Sequence, residues 1–338
     1  MIIVMKEMAS EDKIQSVLQK VHDLGYKTSV IRGVNRTVIA AVGDERGKFM
    51  LQQMETLSGV DRVVPVLDPY KLASRTSQIE NSVIHVNGAS VGDGWLTVIA
   101  GPCSVESYDQ MMESARIVKE HGGKILRGGA FKPRTSPYSF QGLEEEGLKY
   151  LAEAGKAYGL PVVTEVVNPR DAELVVQYAD ILQVGARNTQ NYALLKELGQ
   201  AGKPVLLKRG MSSTIEELLM SAEYILSEGN SQVILCERGI RTFERATRST
   251  LDLSAVPVLK EKTHLPVIVD PSHATGNWKY VPAMAKAAVV AGADGIMVEM
   301  HPRPEEALCD GEQSLRPKSF QGLMEEIRQL CVLMEKRM

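Results

Sequence analysis

The chain is poor in the residues that several function classes require. Aromatic residues are only 5% of it, which leaves few platforms for stacking single-stranded bases. Lys and Arg number 39 against 42 Asp and Glu, so there is no bulk basicity to argue for nucleic acid. Only four cysteines occur, Cys103, Cys236, Cys309 and Cys331, and no two form a CxxC pair. That excludes a disulfide framework and fits a reducing cytosol. No apolar run spans a bilayer, since the most apolar stretch, 281–300, is broken by Lys286 and Asp294. The first residues, MIIVMKEMASEDKIQ, turn charged too early for a signal peptide, so a cytoplasmic protein is expected.

What remains is an ordinary globular balance of 44% hydrophobic and 24% charged residues. Residues 1–68 read as a βαββαβ unit. SEDKIQSVLQKVHDLG carries Ile14, Val17, Leu18 and Val21 at helical spacing, with Ser10 as N-cap and Gly25 as the stop. TSVI and TVIAAV flank RGVNR and suit a hairpin; a second helix over 48–57 leads into VDRVVPVL. This is the ferredoxin-like plan, and it carries no catalytic constellation.

The polar stretch 69–81 is expected to be a linker. Asn87-Gly88 between SVIHV and ASVGDG then signals a hairpin, a lid or cap ahead of the second domain. From there to residue 338, short apolar runs alternate with amphipathic segments about eight times. The runs are WLTVIAG, GKILRG, LPVVTEV, DILQVG, KPVLLKRG, SQVILCERG, LPVIVD and DGIMVEM. Unbroken apolar strands are those buried on both faces, and eight such units predict a (β/α)8 barrel over 82–338. A doubly wound sheet is the alternative, but no GxGxxG follows the first strand.

In a barrel the C-terminal strand ends carry the chemistry. Here they collect Arg127, Lys132, Arg134, Arg187, Lys208, Arg209, Arg238 and Arg241. So many cations on one face, in a chain of net charge −3, point to a substrate with phosphate and carboxylate groups. The structural alternative is pairing with neighbouring carboxylates, as Arg238 with Glu237; it explains one such residue more readily than eight. The same ends carry Cys103, His273, Glu299 and Asp310, on or after the first, seventh and eighth strands. Barrel closure makes the first and eighth strands neighbours, so these four would converge as an open site for a divalent transition metal. Cys236 and Cys331 read as packing residues, and Cys309 as one that could be mistaken for a ligand.

GPCSVES, LRGGAFKPRTSPYSFQG, QVGARN, LLKRG, ILCERG, DPSH and VEMHP together resemble the class I 3-deoxy-D-arabino-heptulosonate 7-phosphate synthases, in the short-barrel microbial subfamily. The resemblance runs from about residue 80 to the C-terminus, and residues 1–68 resemble the ferredoxin-like, ACT-type regulatory domain of some members. It implies condensation of phosphoenolpyruvate with erythrose 4-phosphate, the step that opens the shikimate pathway. Carried over motif by motif, it makes Cys103, His273, Glu299 and Asp310 ligands of one divalent metal, Mn²⁺ or a similar ion.

Arg127, Lys132, Arg187, Lys208 and Arg238 would hold phosphoenolpyruvate. Arg134, Thr135 and Ser136 would bind the erythrose 4-phosphate end, with Asp270 near its hydroxyls. Lys132 is expected to protonate the new alkoxide, and Glu165 to orient the attacking water. The resemblance also implies an aromatic amino acid effector at the N-terminal domain and a homo-oligomer, with a tetramer as one form. Three rival readings stand beside it. One is octulosonate 8-phosphate synthesis from arabinose 5-phosphate, where a KANRS-like loop would replace Lys132–Ser136. Another is a Schiff-base aldolase using Lys208. The third is a non-catalytic amino-acid-binding regulator.

Overall fold

The structure is a computed structural model that describes residues 1–33, 36–43, 48–64, 69–134 and 136–338. It divides into two compact units, Met1–Ser77 and Gln78–Met338. The polar stretch 69–81 is therefore split between them. The middle of the RGVNR turn, residues 65–68 after the fourth strand, and Thr135 lie outside the described residues.

In the first unit, β1 (Ile2–Met5), β2 (Lys27–Arg32), β3 (Thr37–Val42) and β4 (Val60–Val64) pair antiparallel in the order β2-β3-β1-β4. This is the ferredoxin-like plan that the sequence pattern predicts. Helix α1 (Glu11–Asp23) buries Ile14, Val17 and Val21 in a core with Ile3, Met5 and Ile39. Ser10 occupies the N-cap position, but its side chain makes no capping hydrogen bond. Gly25 stops the chain in the left-handed region at φ +81. The second helix is shorter than its apolar spacing suggests: α2 (Lys48–Gln52) tightens at once into a 3-10 turn over Gln53–Thr56.

The second unit begins with a hairpin, β5 (Val83–Val86) and β6 (Ala89–Gly92), turned by Asn87 and Gly88, both at positive φ. Eight parallel strands follow: β7 (Thr97–Gly101), β8 (Ile125–Arg127), β9 (Val162–Glu165), β10 (Ile181–Val184), β11 (Val205–Lys208), β12 (Val233–Glu237), β13 (Val267–Val269) and β14 (Gly295–Glu299). They close into a barrel, with β14 paired to β7 from Gly295↔Thr97 to Glu299↔Gly101. Helices alternate with them, beginning with α3 (Tyr108–Glu120) and α4 (Glu144–Tyr158) and ending with the C-terminal helix Pro317–Leu333. Among the described residues, no helix is long and apolar enough to cross a membrane.

The hairpin is a cap at the barrel's lower end, not a lid over the strand ends. Its Ile84, Val86, Ala89 and Val91 join one core with Ile99, Ile125, Ile181, Leu206, Ile234 and Ile268. Ile125 and Ile181 are the first residues of their strands, so the hairpin covers the end opposite the polar strand termini.

Close packing of β7 on β8 depends on one glycine. Gly101 has φ +149, and a Cβ there would lie 2.1 Å from the Arg127 carbonyl oxygen. Substituting Gly101→Ala should therefore cost about 1–3 kcal/mol through overpacking and strain. The readout is a lower thermal midpoint for the barrel transition, and an unchanged midpoint would contradict the clash.

Candidate active site

The strand ends open on a cavity of about 420 Å³. Its wall includes Lys132, Arg134, Arg187, Lys208, Arg238 and Arg241, and the carboxylate of Glu165 also faces it. Ser136 lines the mouth beside Arg134. Of the expected cations, Arg127 and Arg209 are not in this wall. Arg209 is a structural residue, bound to Glu237 at 2.8 Å and Asp252 at 2.9 Å. The carboxylate Glu237 thus serves Arg209 and not Arg238, whose Nη1 and Nη2 donate to Ser249 Oγ and the His273 carbonyl. Period-two alternation at β11 separates the neighbours: Lys208 faces the site and Arg209 faces away.

Lys208 is buried, and its Nζ lies 2.6 Å from Asp270 Oδ2. The nitrogen that an imine-forming lysine would offer is thus engaged. Asp270 is fully buried at the start of the short helix Pro271–Thr275, where Oδ1 accepts from the His273 backbone N–H and Oδ2 also meets His273 Nδ1 at 2.7 Å. Burial would raise this carboxyl, but His273 and Lys208 outweigh it and hold it well below the usual carboxylate range. With its oxygens so occupied, Asp270 is not among the residues that line the cavity.

Beside the cavity, ligand atoms of Cys103, His273, Glu299 and Asp310 all lie within 4.8 Å of one another. Each comes from a different local device. Cys103 follows β7, His273 sits in the helix capped by Asp270, and Glu299 ends β14. Asp310, in the loop after β14, is held in a left-handed backbone at φ +53. Arg127 Nη1 bridges the Pro102 carbonyl at 2.7 Å and Glu299 Oε1 at 2.9 Å, and its buried Nε has no partner.

The cluster is electrostatically ready for a cation. Burial works against the Glu299 carboxylate, but His273 and Arg127 hold it below its ordinary value. Burial likewise opposes ionisation of Asp310, yet Arg248 and His273 bring it to about 2. These carboxylates and Asp270 meet the Cys103 thiol, which its hydrogen bond with Cys309 and burial push up, and His273, which burial would lower but Asp270 and Glu299 hold above its ordinary value. One thiol, one imidazole and two carboxylates form a donor set that fits a divalent transition metal.

Cys309, read in the sequence as a residue that could be mistaken for a ligand, lies with Sγ 3.4 Å from Cys103 Sγ. Its thiol is brought down to about 7, chiefly by the hydrogen bond with Cys103, with Lys132 and Arg134 helping to offset burial. Lys132 Nζ donates to the Cys103 carbonyl at 2.9 Å and approaches Sγ at 3.1 Å. Burial would lower this ammonium's pKa, but the sulfurs of Cys103 and Cys309 hold it above the lysine range.

Two site residues escaped sequence reasoning. Arg248, in the loop after β12, lines the cavity and reaches Asp310 Oδ1 at 3.3 Å. Gln313 is buried and contacts Glu299. A cation in TRST and an amide in DGEQS were the available signals, but neither lies at a strand end.

Asp270 is the support on which two of these side chains rest. Replacing it as Asp270→Asn leaves Lys208 buried without its counter-charge and should cost about 3–5 kcal/mol. Urea denaturation of the full-length chain would measure this, and a loss below about 1 kcal/mol would mean the pair is not the support described.

Comparison with known proteins identifies the family. Residues 76–336 match the DAHP synthetase I family, and residues 1–68 match the DAHP synthase ferredoxin-like domain. The phospho-2-dehydro-3-deoxyheptonate aldolase of Thermotoga maritima is 51% identical over 98% of each chain. A 2-dehydro-3-deoxyphosphooctonate aldolase of Syntrophobacter fumaroxidans is 32% identical, covering 72% of this chain and 89% of its own. The crystal structure of the Thermotoga maritima DAHP synthase superposes with a TM-score of 0.80, at 50% identity and 99% coverage of this chain and 98% of that one. A truncated form of the same enzyme gives 0.75 at 49% identity, covering 79% of this chain and 98% of its own. With a specific barrel match, a matching N-terminal domain and near-complete coverage at half identity, the chain belongs to the DAHP synthetase I family.

Proposed function

We propose that the chain condenses phosphoenolpyruvate, erythrose 4-phosphate and water to 3-deoxy-D-arabino-heptulosonate 7-phosphate and inorganic phosphate. It is a carbon–carbon bond-forming transferase opening the shikimate pathway. The observation that carries the reading is a cation-walled cavity adjoining a thiol–imidazole–carboxylate cluster, in a chain 51% identical to a phospho-2-dehydro-3-deoxyheptonate aldolase.

In this reading Lys132, Arg187, Lys208 and Arg238 hold the phosphate and carboxylate of phosphoenolpyruvate, and Arg127, which does not line the cavity, adds its charge from its place against Glu299. Arg134 and Ser136, with Thr135, take the phosphate of the aldose. Asp270 acts through the Lys208 and His273 side chains that it fixes. Cys103, His273, Glu299 and Asp310 would hold one divalent metal, Mn²⁺ or a similar ion, which when bound supplies a Lewis acid for the aldehyde oxygen. The methylene carbon of phosphoenolpyruvate forms the new bond to the aldehyde carbon. Lys132 retains its proton until the alkoxide forms and then delivers it there. Glu165, with Oε2 accepting from Gln183 at 3.1 Å, orients the water that adds to the neighbouring carbon. The resulting hemiketal phosphate releases phosphate.

Residues 1–68 serve as a regulatory module joined through 69–81 and bind an aromatic amino acid, tyrosine or phenylalanine. The protein acts in the cytoplasm as a homo-oligomer, for which a tetramer is the form proposed.

A coupled assay tests the chemistry. Erythrose 4-phosphate should be turned over in preference to arabinose 5-phosphate, and Arg134→Ala should raise KM for the aldose phosphate more than for phosphoenolpyruvate. Preference for arabinose 5-phosphate would move the reading to octulosonate synthesis. Chelator, Cys103→Ala or His273→Ala should each abolish turnover with the fold intact, whereas full activity in excess chelator would end the metal reading.

Deleting residues 1–77 should leave substantial kcat and remove sensitivity to the amino acid. The lost coupling would be about 1–3 kcal/mol, or roughly 5- to 150-fold in inhibition. Equal inhibition of both forms would place the effector on the barrel.

A further inference from the structure

Both carboxylates of the cluster are linked through one side chain that the mechanism above does not use. Gln313 closes the 3-10 turn Gly311–Gln313, directly after Asp310, and is 2% exposed. Its Nε2 donates to Glu299 Oε2 at 2.6 Å, while its Oε1 accepts from Arg248 Nη1 at 2.8 Å. The same Arg248 nitrogen reaches Asp310 Oδ1 at 3.3 Å. Glu299 Oε1, on the other side, is fixed by Arg127 at 2.9 Å and lies 3.3 Å from His273 Nε2. The Glu299 carboxylate is thereby pinned through both oxygens, and only Gln313 pins Oε2 among the described contacts.

The residue type matters. Glu299 needs a donor and Arg248 needs an acceptor, and an amide offers both from one planar group. A methionine of similar length offers no donor and only a weak acceptor, and asparagine, one methylene shorter, cannot span the two. A neutral amide also fixes the carboxylate without adding charge beside it.

We infer that Gln313 is a positioning residue of the metal centre. Its amide holds Glu299 in the orientation in which that carboxylate shares an ion with Cys103, His273 and Asp310. The inference rests on the metal reading above. Residues that hydrogen-bond a metal's ligands typically change affinity by about 10–100-fold when lost, and that is the size expected here.

The test titrates the metal-free full-length protein with Co²⁺, followed through the thiolate-to-cobalt charge-transfer band and the visible d–d bands. In Gln313→Met the Co²⁺ dissociation constant should rise about 10–100-fold with a change in the d–d bands, while KM for phosphoenolpyruvate at saturating Co²⁺ stays the same. Gln313→Asn should weaken binding in the same direction and decides the matter if the methionine variant fails to fold. A folded variant that binds Co²⁺ with wild-type affinity and wild-type bands would overturn the inference, leaving Gln313 as part of the turn only. A wild-type protein that binds no Co²⁺ would instead overturn the metal reading itself.

Discussion

Everything at the site depends on the closure of the barrel between β14 and β7. Five residue pairs fix that seam, ending at Glu299↔Gly101. A slip of one residue would exchange the inward and outward faces of β14 and take Glu299 away from Cys103 and Arg127. On its other side β7 tolerates no side chain at Gly101, because the Arg127 backbone of β8 fills that space. A packing constraint without chemistry of its own therefore sets the distance between a thiol near one end of the barrel sequence and a carboxylate some two hundred residues later.

The burden of charge around this seam is handled by pairing rather than exposure. Arg127–Glu299, Lys208–Asp270 and Arg209–Glu237 are all buried. Such pairs contribute little net stability against apolar residues of the same volume, but each is costly to break singly. Their value lies in holding cations and anions at defined points in a low-dielectric interior, so that the groups facing the cavity need not reorganise. Arg209 and Lys208 show both uses in consecutive residues, one bracing a loop through Asp252 and the other facing the cavity.

The architecture was legible because its signals are periodic. Eight apolar runs buried on both faces and one βαββαβ pattern leave few folds to choose from, and strand-end chemistry follows from the barrel itself. Convergence of Cys103, His273, Glu299 and Asp310 could be anticipated from closure alone. Less was legible where orientation decides. Nothing in KRG tells which of Lys208 and Arg209 points inward until the register is known. Asp270 looks free for a sugar hydroxyl in DPSH, yet folding spends its oxygens on a helix cap, a lysine and an imidazole. Arg248 and Gln313 lie in loops without periodicity, so only the folded chain brings them to the cluster.

The hairpin beneath the barrel has a kinetic meaning. Among the described residues, its apolar side chains pack against the first layer of the strands and plug the end of the barrel opposite the site. Two substrates must enter, and a sugar phosphate and a phosphate ion must leave, through the same opening. Traffic through one doorway imposes an order: the molecule seated deepest arrives first, and its path out stays blocked while the later arrival remains bound.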